Sequence, residues 1–322
     1  SLTLYDFRGK MLSQGNGLNF FSGLSKRYYF SYPLLSSVLH ATTYLHSGVL
    51  VLKLFYAIYF LGFVYIFFRY LVENDISIVF SLFLTLVLIS NPLIFRVSKI
   101  TYTNLIHIFY IFIGTTLLYQ WFKDKLDKYL YLSSIFFLIS VQVRIAEYFY
   151  LIPIIFLLIM WLFNKISFKH IVQFSIPVIS SVGVWKIVSS SVNLKSDVEV
   201  ETLFDIISTG VRSFSAKRFL DVANFYITSL APIYLPLIIF LILTFLGSVI
   251  FCKKITNEKI YLLYSILATF ALLFIGNYFI SYSYPTWRKI SYSLQRAALV
   301  TLPLSLFFGS LTINNLFKSK NL

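Results

Sequence analysis

Long, uninterrupted apolar runs constrain this chain more than any other feature. Val49–Phe68, Ile76–Phe95 and Tyr234–Phe251 each approach the ~20 apolar residues that a helix needs to cross a bilayer's hydrocarbon. Runs of similar character continue along the chain, and spans are expected at about 48–71, 76–95, 102–121, 129–145, 147–163, 168–189, 226–251, 260–281 and 291–314. Lipid offers no hydrogen bonds, so backbone polar groups at membrane depth must be paired inside the segment itself, and apolar runs of this length become helices. The expectation is therefore an all-α, polytopic integral membrane protein of about nine transmembrane helices in one domain, 1–322. With 58% hydrophobic and only 12% charged residues, the chain lacks the polar surface that a soluble fold needs.

The segments between the spans carry the polar chemistry. The chain starts at Ser1, and no signal peptide precedes the polar stretch Asp6–Tyr32; the expectation is that a first membrane helix lies upstream. From Pro33 to Leu45 the sequence is moderately apolar but rich in Ser, Thr and His, which suits a helix lying in the interface. Connections are short except for Ser190–Asn224, which is amphipathic enough for a surface helix. The single cysteine, Cys252, rules out an intramolecular disulfide or a cysteine metal cluster within this chain.

The net charge of +15 on a soluble protein would raise nucleic-acid binding. Here the basic residues sit in loops between spans, so anionic lipid head groups are the expected partners and nucleic acid is not. Basic residues in short loops also set orientation. One side, called A, has Arg69, Lys123, Lys125, Lys128, Lys165, Lys169, Lys253, Lys254, Lys259, Lys318 and Lys320. The other, side B, has fewer in its short connections: Arg96, Lys99, Arg144, Arg288, Lys289 and Arg296. Side A is expected to be cytoplasmic, together with the C-terminus.

On that topology Asp6, Arg8, Lys10, Asn104, Arg144, Glu147, Arg288 and Arg296 all fall near helix ends on side B, from separate stretches of chain. Ionisable groups at membrane depth are costly and mark functional sites by default. Asp6 and Lys10 stand four apart and pair if the segment is helical; in a loop, Asp6 would serve as base or metal ligand while Arg8 and Lys10 meet a phosphate. Arg144 and Glu147 stand three apart, so a shared helix face is expected, either as a structural ion pair or as an arginine gripping phosphate and held by Glu147. Asn104 opens a helix and reads most simply as its N-cap, with a bond to a sugar hydroxyl as the alternative. His107, one turn on, reads as a buried, satisfied histidine, with a metal or phosphate role as the alternative. Arg288 suits snorkelling beside Trp287, whereas Arg296 lies about two turns into its span, too deep to snorkel easily. No Walker A, zinc-ligand or G-x-S-x-G motif is present.

These stretches, in order, resemble the multi-pass glycosyltransferases of the GT-C class, the group that includes protein O-mannosyltransferases and aminoarabinose transferases. "LTLYDFRGKMLSQGNG" followed by "YPLLSSVLHATTYLHSG" looks like the family's first outer loop, and "YTNLIHIFY" like the start of its fourth span. "VRIAEYFYLIP" is similar to the Arg-x-x-Glu stretch of a middle span, and "YPTWRKISYSLQRAALVTLP" to the final outer loop. The resemblance implies a bacterial cytoplasmic-membrane enzyme, active on its outer face. It would take a glycosyl residue from a polyprenyl-phosphate-linked donor and pass it to an envelope glycan, lipid or protein acceptor. It implies Asp6, or a carboxylate upstream of Ser1, as catalytic residue. Arg8, Lys10, Arg144 and Arg296 would face the donor phosphate, with Glu147, Asn104 and Arg288 in support. Many members carry an acidic residue where Asn104 stands; the departure leaves a divalent metal as an open alternative that this sequence does not require. The rival readings are an O-antigen-type polymerase or ligase, which usually has a larger outer loop than Ser190–Asn224, and a lipid-linked glycan transporter, which predicts broken helices and a pseudo-repeat.

Overall fold

The least hydropathic of the long helices occupies the centre. In the computed structural model, residues 4–15, 33–46, 48–100, 102–145, 148–191, 214–251, 256–283 and 286–320 are described, with backbone alone for 4–6, 48–50, 248–251, 283 and 318–320. They form thirteen α-helices. Helix α6 (Thr103–Asp124) has 83% of its apolar window buried inside the protein, against 22% and 28% for two other spans, Val51–Glu73 and Ala216–Gly247. Those two face outward with Leu54, Ile58, Leu61, Ile239, Ile242 and Leu243 exposed, the pattern of helices whose solvent is lipid. Burial inside the bundle is what lets α6 carry Asn104, His107, Thr115 and Thr116.

Around α6 the chain runs back and forth. α1 (Leu4–Ser13) packs on α2 (Leu35–His46), and α2 on α3 (Gly48–Glu73) and on α7 (Asp127–Val143). The segment expected at 33–45 as an interfacial helix or a lead-in to the next span is helical, as α2. α3 leads through a turn at Asn74-Asp75 to α4 (Ile78–Ile89) and α5 (Pro92–Ser98). α7 fits closely on α6, then α8 (Leu151–Leu162) and α9 (Phe168–Ser191) follow. α10 (Ala216–Phe251), α11 (Asn257–Ser283), a 3-10 turn at Trp287–Ile290, α12 (Ser291–Ala298) and α13 (Thr301–Lys320) complete the bundle. α11 packs on α6, α8, α10 and α13.

Small residues and hydroxyls bring these helices together. A Cβ at Gly114 would lie 2.8 Å from the ring of Phe137, and Ser133 Oγ donates to the Gly114 carbonyl at 2.6 Å. Such close approach is what helix pairs rely on where lipid removes the hydrophobic drive between them. Phe112 is the hub of an aromatic core, with Phe63, Phe67, Tyr70 and Phe307 at 5.7–6.4 Å between centroids. At side A, Asn74 Oδ1 accepts from Lys123 Nζ at 3.0 Å and Tyr119 Oη at 3.4 Å, and its Nδ2 donates to the Tyr70 carbonyl. Asn314 donates to the Asp75 carbonyl, tying α13 to the same turn.

The nine-span expectation is corrected: among the described residues five helices are long and apolar enough to cross a membrane, or up to seven if each bent pair counts as one span. The expected spans 129–145 and 147–163 are the difference. α7 has 17 residues and α8 has 12, which at 1.5 Å per residue gives about 26 and 18 Å, short of a ~30 Å core. The segment expected at 76–95 is two helices bent by 70°. The cause is local: Pro92 has no N–H to continue α4, and Asn91 Oδ1 instead caps α5 by accepting from Leu93 and Ile94 N–H. α12 and α13 meet at a 42° bend. The expected long connection Ser190–Asn224 is also shorter: α9 continues to Ser191 and α10 has begun by Ala216, while 192–213 lie outside the described residues. Cys252 lies outside them too.

Candidate functional site

The antiparallel helices α6 and α7 set the level of the site. Gly114 faces Ser133 and Phe137, and Tyr110 faces Phe136 at 6.0 Å. Continuing that register, the end of α7 lies level with the first turn of α6. α12 arrives at the same level, and there Arg296 is held.

Arg296 Nη1 donates to Asn104 Oδ1 at 3.5 Å, the outer limit for such a bond, and Nη2 donates to Ser293 Oγ at 3.2 Å. Its guanidinium lies 5.0 Å from the Tyr102 ring centroid and 4.7 Å from that of Tyr292. Both are within the range where a ring quadrupole attracts a cation, worth about 0.5–1 kcal/mol each at a partly exposed site. Arg96, in the last turn of α5, places its guanidinium 5.6 Å from the same Tyr292 ring. Among the described residues neither arginine has a carboxylate partner: the ion pairs there are Arg69–Glu73, His170–Asp127 and Arg288–Asp221. Two arginines on one ring, flanked by Asn, Ser and Tyr, make a polar, electropositive patch with capacity for an anion.

The other expected site residues distribute as follows. Asp6 lies on α1, which is helical as the four-residue spacing to Lys10 required, but its side chain lies outside the described atoms. Lys10 is exposed in the last turn of α1, whereas Arg8 is fully buried. Arg8 enters the protein because its neighbour Gly9 lets α1 press onto α2, Gly9 having no side chain to meet His40. His40 Nε2 in turn hydrogen-bonds Tyr56 Oη of α3 at 2.9 Å.

Asn104 is not the cap of its helix: Tyr102 holds that position, extended and without a side-chain cap bond. Two residues further in, Asn104 turns its amide to Arg296 instead. The shared helix face expected of Arg144 and Glu147 is also corrected. α7 ends at Val143, Arg144 is extended (φ −153°, ψ 118°), and Tyr148 turns at φ 52°. Arg144 is partly buried, its N–H donating to the Ser140 carbonyl at 2.9 Å. Glu147 lies outside the described residues. The α7–α8 connection returns to α6 through Phe149, which stacks on buried His107 at 5.9 Å. Burial pushes the phenols of Tyr148 and Tyr150 up, the latter to about 12, so both are neutral hydrogen-bonding groups at ordinary pH. Arg288 is exposed, 3.9 Å from Asp221 Oδ2 and 5.3 Å from the Trp287 ring; its charge is directed toward α10.

Arg96, Tyr102 and Tyr292 were not singled out by the sequence. Arg96 reads there as one more loop cation, and only the 70° turn into α5 swings it toward α12. No group of three or more His, Cys, Asp or Glu placed to hold a metal ion occurs among the described residues. The fold and the patch together define an all-α membrane protein with an arginine-bearing site where α5, α6 and α12 converge. Comparison with known protein families, curated proteins and solved structures finds no match for the chain.

Proposed function

We propose that this protein is a membrane glycosyltransferase of the GT-C type. It transfers a glycosyl residue from a polyprenyl-phosphate-linked donor to a hydroxyl of an envelope glycan, lipid or protein at side B. The observation that carries the reading is Arg296: a cation without a carboxylate partner among the described residues, oriented by Asn104, Ser293 and two tyrosines at a helix end. A donor anchored by its lipid tail presents its phosphate at that depth.

In the reaction, a carboxylate takes the proton of the acceptor hydroxyl as its oxygen bonds to the anomeric carbon. The anomeric C–O bond to phosphate breaks, and the phosphate leaves with the electron pair. Asp6 is assigned the proton; Arg296, with Arg144 at the same level, stabilises the leaving phosphate. Arg8, being buried, holds α1 in place rather than meeting solvent-borne ligand. The test is transfer of radiolabelled sugar from polyprenyl-phosphate donors in membranes bearing the protein. Asp6→Asn and Arg296→Ala should each lower turnover by about 10²-fold or more, while Arg296→Lys retains part of it. Full turnover in properly inserted Arg296→Ala would remove the phosphate assignment.

A lipid-linked glycan transporter is the second reading, and the bends of 70° and 42° in two candidate spans favour it. A transporter would move labelled lipid across proteoliposomes without any change in its glycan.

A further inference from the structure

Arg96 and Arg296 share one aromatic ring, and that arrangement has a consequence for the ligand. Their guanidinium carbons lie 5.6 and 4.7 Å from the Tyr292 centroid. Lys99 adds a third cation one turn along, its Nζ 3.7 Å over Phe95. Among the described residues none of the three is in an ion pair. Like charges gathered in one region repel, and more strongly where lipid and protein replace water. A ring within reach of both arginines offsets part of the cost, but a bound polyanion offsets far more. A single phosphate needs one bidentate guanidinium. Two guanidiniums brought from separate helices, α5 and α12, match a ligand with two adjacent phosphoryl groups.

We propose that this site takes a diphosphate, with Arg296 on one phosphoryl group and Arg96 on the other. The inference rests on the reading of Arg296 as the lipid-phosphate ligand and names its substrate more closely: a polyprenyl diphosphate-linked donor. Tyr292 acts as a positioning residue that fixes the spacing of the two arginines. Because Arg96 is exposed and Tyr292 is 36% exposed, either can be replaced without opening a cavity in the bundle.

The experiment measures binding to the protein in nanodiscs of four probes: a prenyl monophosphate and a prenyl diphosphate of equal chain length, inorganic phosphate and inorganic pyrophosphate. The expected result is a preference for the prenyl diphosphate. Arg96→Gln should weaken diphosphate binding by about tenfold to hundredfold, the worth of a charge-assisted hydrogen bond, and leave monophosphate binding almost unchanged. Arg296→Gln should weaken both. Tyr292→Leu should reduce the preference without abolishing binding. If inorganic pyrophosphate binds as tightly as the prenyl diphosphate, a diphosphate site stands but its ligand is a soluble anion, and the polyprenyl donor is refuted. Equal affinity for the two prenyl lipids, or a silent Arg96→Gln, overturns the diphosphate inference while leaving the phosphate role of Arg296 intact. Binding of neither lipid in an Arg296-dependent way overturns both.

Discussion

Gly9→Ala should uncouple α1, the helix that carries the proposed catalytic residue Asp6, from the protein. A Cβ there would overlap the Cβ of His40 and come within 3.1 Å of the Ala41 nitrogen and the His40 carbonyl carbon. Backbone atoms cannot rotate away as a side-chain tip can, so α1 must lift from α2. Restoring ordinary contact at 3.5–4.0 Å calls for a shift of about 1 Å, with overpacking costs of about 1–3 kcal/mol. Against this, Ala is about 0.8–1 kcal/mol better than Gly within a helix, so α1 would still form but dock poorly. α2 is its main packing partner among the described residues, so loss of that contact is felt first in α1. Burial of Arg8 depends on that docking, as does the position of Asp6. The assay is hydrogen exchange of α1 amides in nanodiscs, read beside glycosyl transfer and the melting midpoint of the bundle. Faster exchange in α1, lost transfer and an almost unchanged midpoint are expected. Gly62→Ala is the control, since its new Cβ would meet only Phe109 at 3.9 Å. Wild-type exchange and transfer in Gly9→Ala would refute the reasoning and place α1 elsewhere.

Gly114→Ala should loosen the α6–α7 pair: the new methyl would meet the buried Phe137 ring at 2.8 Å, at a cost of about 1–3 kcal/mol before the helix-propensity gain, seen as a lower melting midpoint in detergent. Asn74→Leu should destabilise side A by about 1–3 kcal/mol, because Lys123 loses its 3.0 Å acceptor; the midpoint should fall while lipid binding at side B stays at its wild-type level.

The fold was legible where one force dominates. Apolar runs of span length at Val49–Phe68 and Tyr234–Phe251 became α3 and α10 because lipid leaves the backbone no alternative. The breaks were less legible, since each turns on a contest between neighbours. Asn91-Pro92 sits inside an apolar run, and hydropathy averages across it, but a prolyl nitrogen without a proton and an asparagine able to cap decide the geometry locally. The Arg144–Glu147 spacing suggested helix because i and i+3 face one way, yet α7 stops at Val143. Asn104 looked like a cap because it stands near a helix start, and sequence alone does not fix a boundary to one residue. Tyr102 and Tyr292 carried no signal in a chain with 24 tyrosines.

The breaks and the cations belong to one construction. A straight span passing through this level would present a side chain sideways, with its own turns above and below closing off the approach. A helix that ends or bends there leaves room along its axis. Arg144 stands where α7 ends, Arg96 in the last turn of α5 beyond a 70° bend, and Arg296 in the last turn of α12 before a 42° bend. In each case the arginine is near the C-terminal end of its helix segment, where the backbone carbonyls favour a cation. The helix ends thus help to hold this positive charge, and for Arg96 and Arg296 no carboxylate partner stands among the described residues. The proposed anionic ligand, entering between α5, α6 and α12, would complete that balance, and the same geometry would serve a donor held for transfer or a lipid handed across the membrane. The fate of the glycan separates them.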